Sequence, residues 1–491
     1  MKQKNRLLNA LTALLLLSVS VLSCGESASP AEDGSAPAGQ NAETAPAETE
    51  DAGPQLELEP ADYNGFTVRM VTLDAYNEHF KLDMEADGDV LNDAGHERNN
   101  AVAELLNVDF AVTEVADPPA DLRKSVMAGD DSYDFIFPHA TVGVAALVTD
   151  GILYDWNELK KVDFSKPWWN QSMSESLGIG GHLYYASGDI VMAWQGMMAV
   201  LFNKSYLNGM DLEKDLYQTV FDGEWTLPYM TQLIKGIAQD LDGDGKWTAK
   251  DKYGILDNKN TGYQYMYSSG LRVTMPDADG YPVLTLNTER MLKLVDQFYN
   301  YIYSGDVFLD EYSSVTYATS TYRDMLLEGR SFLTTLDVGG LYAYLREIEF
   351  DFGLLPMPKL DETQSEYPVF CGAGLIGVPS NLPDADRTGT VAEAMAYYSY
   401  KYIRPAFFDI VLENKAVRDE NSYKVLQMMH EHKVFDFGFN FDATGSAYGM
   451  LGNVVISGKS TDFASHYQKN EKKILNGFEK IVNACKEREN Q

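Results

Sequence analysis

The stretch "FTVRMVT", residues 66 to 72, alternates apolar and polar side chains and is rich in β-branched residues, the pattern of a half-buried strand. Helical spacing follows over about 93–106, where Ala94, Ala101 and Leu105 recur on one face. Residues 108–112 then predict a second strand, 121–127 a helix, and "YDFIF" (133–137) a buried strand. This alternation of strand and helix predicts an α/β chain built on a mostly parallel sheet with helices on its faces. Ligands of such sheets gather beyond the carboxyl ends of the strands, so the loops at 73–77 and 138–141 are candidate cleft loops. Asp74, Asn77 and His139 are the residues they offer, although a lone His is also a common structural residue.

The pattern continues along the chain. Gly180-Gly181 reads as a turn, 182–186 and 197–202 as strands, and Thr226 as an N-cap with Pro228 in the first helical turn. That helix is expected to reach about Gln239 and to run directly into an acidic loop. "GRSFLTTLDVGGLYAYLR" (329–346) reads as strand, Gly-rich turn and helix, and 369–378 as an apolar strand. Helical patterns dominate from Thr390 onward.

The N-terminus is read as an export signal. Lys2, Lys4 and Arg6 precede an apolar run over 7–22, too short and too closely followed by polar sequence for a spanning helix. Val21-Leu22-Ser23-Cys24 resembles a bacterial lipobox, in which cleavage before Cys24 leaves a thiol that carries diacylglycerol; an ordinary secretory signal with an incidental cysteine is the alternative. Residues 25–60 hold no Lys, Arg or aromatic residue and read as a disordered acidic tether. The expected layout is therefore a signal at 1–23, a tether at 24–60, and a body lipid-anchored on the extracytoplasmic face of the cell membrane. The body is too long for one core and suits two lobes. A formal charge of −34 argues against nucleic acid as a partner. Cys371 and Cys485 make no disulfide framework and no zinc cluster.

"QDLDGDGKWTAKDKYG" (239–254) has the layout of a calcium-holding loop. Asp240, Asp242 and Asp244 fill the first three ligand positions, with Gly245 at the turn. The Lys246 carbonyl, Thr248 and Asp251 follow, Asp251 standing where longer Glu is usual. One such loop at a helix end reads as a structural Ca²⁺ staple; a solvated acidic turn is the competing reading.

Several stretches, in order, resemble a family-1 extracellular solute-binding protein of an ABC importer, of the carbohydrate-binding branch. They are Gly181-His182-Leu183-Tyr184, "LFNKSYL", Trp225-Thr226, "GRSFLTTLD", "FGLLPMPK" and the Val378-Pro379-Ser380 that ends an apolar strand. The resemblance covers roughly 60–491. It implies a two-lobed periplasmic-binding-protein-like (type II) α/β fold, with 60–190 plus 373–415 in one lobe and 198–370 plus 420–491 in the other. Residues 190–196 and 369–375 would be hinge crossings. It also implies a monomer that closes on a carbohydrate and docks on permease subunits of an ABC transporter.

Sugars need aromatic platforms together with carboxylates, amides or His. Trp194 and Gln195 lie in the first implied crossing, where ligand contact competes with hinge packing. Tyr263, Tyr265 and Tyr267 alternate and would form an aromatic stripe, Tyr265 being the ligand candidate. Asp337 ends a strand at a loop the resemblance places at the cleft, where it would otherwise cap the next helix. Trp168-Trp169 reads as packing. The chain has no GxSxG, HExxH or P-loop, so no enzyme is expected. Two rival readings stay open: an oligopeptide or amino-acid ligand, and an exported glycoside hydrolase with a carboxylate pair not visible in one dimension.

Overall fold

The computed structural model describes residues 53–311, 320–344, 347–372, 374–413, 420–442 and 445–489; Cys24 and most of the expected tether lie outside them. β1 (Phe66–Leu73) forms where its alternation predicts, sending Val68 and Met70 into the core. The chain continues through α1 (Tyr76–Phe80), α2 (Val90–Leu106), β2 (Val108–Val115), α3 (Pro118–Ala128), β3 (Phe135–Phe137) and α4 (Val144–Thr149). The Asp89 carboxylate starts α2 by accepting the N–H groups of Leu91 and Asn92. β1 lies parallel between β2 and β3, with Phe66 opposite Val108 and Met70 opposite Phe135. Beyond β3 the sheet is extended by single bridges. Ile136 exchanges two 2.9 Å backbone bonds with Gly377, and Ile376 exchanges two with Ala186, both antiparallel.

A second sheet is built from β4 (Met198–Asn203), β5 (Tyr253–Asn258), β6 (Val307–Asp310), β7 (Ser331–Asp337) and β8 (Phe352–Pro356), in the order β8-β4-β7-β5-β6. β6, β5 and β7 are parallel, while β4 runs antiparallel to both β7 and β8. The second sheet thus has three parallel strands, an antiparallel fourth and a fifth beyond it, and the single bridges beside β3 repeat that order at the edge of the first sheet. In each, the antiparallel fourth member is the chain segment that has just come from the other sheet. Two such connections run side by side, joined by a Met197–Cys371 bridge and by the Cys371 thiol donating to the Ala193 carbonyl at 2.7 Å. Beside them β9 (Val369–Phe370) pairs in parallel with Lys433–Val434.

Local departures from the sequence reading have physical causes. The segment 182–186 makes only isolated bridges and is no strand. α5 (Leu227–Leu233) starts as expected, with Thr226 Oγ1 accepting the Tyr229 N–H at 3.3 Å, but stops six residues before Gln239. Gly236 turns the chain at φ 78°, and the Asp306 carboxylate accepts the N–H groups of Gly236 and Ala238 at 2.9 Å each. The tyrosine stretch is a helix, α6 (Gly262–Ser268), so its alternating tyrosines do not make one stripe. Leu56 and Leu58 pack on the core and Glu57 pairs with Lys166, so the body begins before residue 60. Trp168 and Trp169 are packing residues: both indole N–H groups donate to the buried Glu393 carboxylate, at 2.9 and 2.8 Å. The last helix, α7 (Phe463–Glu489), packs along α4, where its Arg488 reaches the Thr149 carbonyl, and its Phe478 meets the Phe437 ring.

Candidate ligand cleft

A cleft of about 430 Å³ opens at the carboxyl ends of strands from both sheets. The chain after β1 brings Tyr76 and His79, the loop after β3 brings His139 and Thr141, β5 ends in Asn258, and β7 ends in Asp337. This is where ligands of open α/β sheets sit. Two aromatic groups line it. Tyr263, Phe370, Phe439 and Tyr448 form one, with Phe370–Phe439 and Phe439–Tyr448 ring centres 4.6 and 4.7 Å apart. Tyr76, His79 and Phe80 form the other, at 4.8 to 5.5 Å.

The electrostatics are sparse. Among the described lining residues Asp337 is the one carboxylate and Lys259 the one cation, and exposed Lys259 is paired with Glu311. Burial, helped by the charge of Lys81, pushes His79 down to about 4, and burial lowers His139, so both imidazoles are neutral at neutral pH. His139 Nδ1 is held by the backbone N–H and hydroxyl of Thr141, at 3.3 and 3.2 Å. The Asp337 Oδ1 accepts the Gly340 N–H at 2.6 Å, and burial raises its carboxyl to about 7. Asp337 thus takes a backbone N–H at the start of the next helix and also lines the cleft.

Of the candidates named from sequence, Asp337 and His139 line the cleft. Trp194 does not: it is 1% exposed and packs against Phe407 and Phe408, the hinge-packing alternative. Gln195 is buried beside it, its amide turned to the His79 carbonyl and Met192. Tyr265 is also core, its hydroxyl donating to Asp257 at 3.1 Å. Helical geometry explains the error, because residues two apart on a helix do not share a face; Tyr263 reaches the cleft instead. Asp74 is exposed and outside the lining, since Ala75 at φ 71° turns the chain after it. Asn77 is spent on the turn, accepting the Asp83 N–H at 2.9 Å. The missed residues Phe370, Phe439 and Tyr448 arrive from distant segments. Only the apolar run at 369–378 gave a signal for any of them.

In the acidic loop, one carboxylate oxygen from each of Asp240, Asp242 and Asp244 lies within 4.8 Å of the others. Gly243 and Gly245, at φ 71° and 76°, donate their N–H groups to Asp240 and so curl the loop around it. The Lys246 N–H donates to Asp244 at 2.7 Å. Asp251 stands apart from the trio: its oxygens accept the N–H groups of Leu241 and Thr248, at 3.0 and 2.8 Å. The shorter Asp side chain there closes the loop base through the backbone, and Thr248 is drawn to it.

No family model and no curated protein matches this sequence. Solved structures match its fold. A sugar transporter from Rhizobium etli, in an open conformation, gives a TM-score of 0.53 at 12% identity over 86% of this chain and 99% of that one. UgpB from Mycobacterium tuberculosis, in complex with glycerophosphocholine, gives 0.52 at 14% identity over 87% and 100%. An ABC substrate-binding protein from Listeria monocytogenes, in complex with cycloalternan, gives 0.51 at 13% identity over 86% and 99%. At these identities the likeness is one of fold, and the chain has the two-lobed α/β fold of the ABC-transporter solute-binding proteins.

Proposed function

We propose that this chain is an extracytoplasmic solute-binding protein that captures a sugar or oligosaccharide and delivers it to an ABC importer. The observation that carries the reading is the cleft itself: aromatic faces from two groups, the amides of Asn258, Asn260 and Asn453, and one carboxylate. Aromatic faces suit the C–H faces of sugar rings, while amides and carboxylates take hydroxyls in pairs. The cycloalternan held by the Listeria protein supports the same ligand class. The paired crossings at 190–196 and 369–375 would act as the hinge on which the lobes close, as a monomer, before docking on the permease. Acyl chains on Cys24 would hold the protein at the extracytoplasmic face of the membrane. The acidic loop would hold Ca²⁺ as a structural staple. Its trio of carboxylates suits a hard cation that takes oxygen ligands.

Calorimetric titration with mono- and oligosaccharides, amino acids and short peptides tests the reading. The expected result is saturable sugar binding at about micromolar affinity, with no product formed. Binding of peptides and not sugars would move the ligand class, and consumption of the sugar would make the protein a hydrolase.

A further inference from the structure

Behind the main cleft lies a smaller, more enclosed recess of about 60 Å³, which shares Asn258, Tyr263 and Asp337 with it. Tyr322, Thr335 and Tyr344 complete its walls. Three tyrosines thus surround the space beside one carboxylate. Among the described residues lining it there is no Lys, Arg or His, and none of the described cations forms an ion pair with Asp337. The recess has room for one or two groups the size of a water, whose share of liquid volume is ~30 Å³.

The partners of the Asp337 carboxylate are backbone N–H groups at the start of the next helix, and no described cation pairs with it; a ligand hydroxyl adds one hydrogen bond to it, whereas an ammonium adds an opposite charge as well. An ammonium would neutralise it within walls that include three tyrosines, residues whose rings attract cations. The chain's charge of −34 draws cations toward the protein as a whole. We propose that the ligand carries a protonated amine, that Asp337 receives it, and that the physiological ligand is an amino sugar with a free amino group. The proposal rests on the reading of the cleft as a sugar site and narrows it. Asp337, raised to about 7 by burial, gives up its proton more readily once an ammonium lies beside it.

The test compares the β-1,4-linked dimer of glucosamine, its N-acetylated counterpart, which loses the charge and gains an acetyl group on each amine, and choline as a cation that is not a sugar. Calorimetry on the purified protein should find the free-amine dimer bound about ten- to a hundredfold tighter than the acetylated one, the range of a charge-assisted hydrogen bond. Asp337→Asn, whose amide oxygen still accepts from Gly340, should erase that difference. If the variant does not fold, the wild-type comparison stands by itself. Weakening of amine binding by salt, with neutral binding unmoved, is its second readout. Equal affinity for both dimers, or an Asp337→Asn variant that weakens both alike, overturns the amine proposal and leaves the sugar reading intact. Tight, Asp337-dependent binding of choline with neither dimer bound upholds the cation site and overturns the sugar. Binding of none of the three overturns both.

Discussion

Asp337 joins two demands that pull against each other. Its Oδ1 is needed to take the Gly340 N–H, while burial raises its carboxyl from 3.8 to about 7. Between those two values the folded protein holds a proton that the unfolded chain has released. Stability contributed at this position therefore falls as pH rises through that window, and the loss is complete above it. Asp337→Asn has nothing to ionise. Its melting temperature relative to wild type should climb between about pH 4 and pH 8, in the absence of ligand, and end above wild type. A flat difference across that range would mean the carboxyl is not buried as described. Trp194 belongs to the opposite class. Fully enclosed against Phe407 and outside the cleft lining, it acts through packing. Trp194→Ala should cost about 3–5 kcal/mol in denaturant unfolding. A large loss of ligand affinity without that loss of stability would return Trp194 to the binding site.

At the scale of single elements, the acidic loop gives the clearest test. Asp240, Asp242 and Asp244 bring like charges together on a mostly exposed turn, held only by backbone N–H groups and by Asp251 below. A cation would relieve that repulsion. With the weak affinities usual outside cells, 10⁻⁴ to 10⁻³ M, about 10 mM calcium should stabilise the protein by about 1.4–2.7 kcal/mol. Thermal unfolding with calcium against chelator checks this, and Asp242→Ala should abolish the difference; no shift in wild type would leave the loop a solvated turn. The loop and its neighbours also mark what sequence could and could not tell. β1, β2 and β3 were legible because alternation and helical spacing are local signals. The α5 start was legible too, since Thr226 and Pro228 act within one turn. Its end was not, because the carboxylate that stops it, Asp306, comes from 70 residues away. The α6 tyrosines misled for a similar reason. Their period of two suggested one aromatic stripe, but the stretch is a helix whose Gly262 sits so close to Gly452 that a Cβ there would lie 2.6 Å from its backbone nitrogen, a tertiary contact with no local trace.

On the scale of the whole molecule, the two-sheet plan was implied by resemblance and by alternation, but the closing partners were not. The Ile136–Gly377 bridge and the Phe370, Phe439 and Tyr448 wall join residues far apart in sequence, where periodicity says nothing. The same holds for the device that fixes the crossings. Asp189 begins the first crossing with its side chain 4% exposed, and its carboxylate meets the Arg404 guanidinium at 2.5 Å, from the segment that follows the 385–398 helix. Lys433, in the strand beside β9, lies near the same carboxylate, and burial pushes its ammonium down to about 8. Arg404 thus ties its segment to Asp189 at one buried charge, with Lys433 close enough to feel it. Burial raises the Asp189 carboxyl, and Arg404 opposes that rise, so removing Arg404 leaves a carboxylate with only a weakened lysine for company. Breaking a buried pair by deleting one partner costs about 3–5 kcal/mol, and Arg404→Met should show a loss of that order in denaturant at about pH 8. Without its guanidinium, Asp189 binds a proton more readily in the folded state than in the unfolded chain, so the deficit should shrink as pH is lowered toward about 5. A deficit that stays constant with pH would assign the loss to the stacking of the Arg404 guanidinium over the Tyr400 ring and not to the pairing with Asp189.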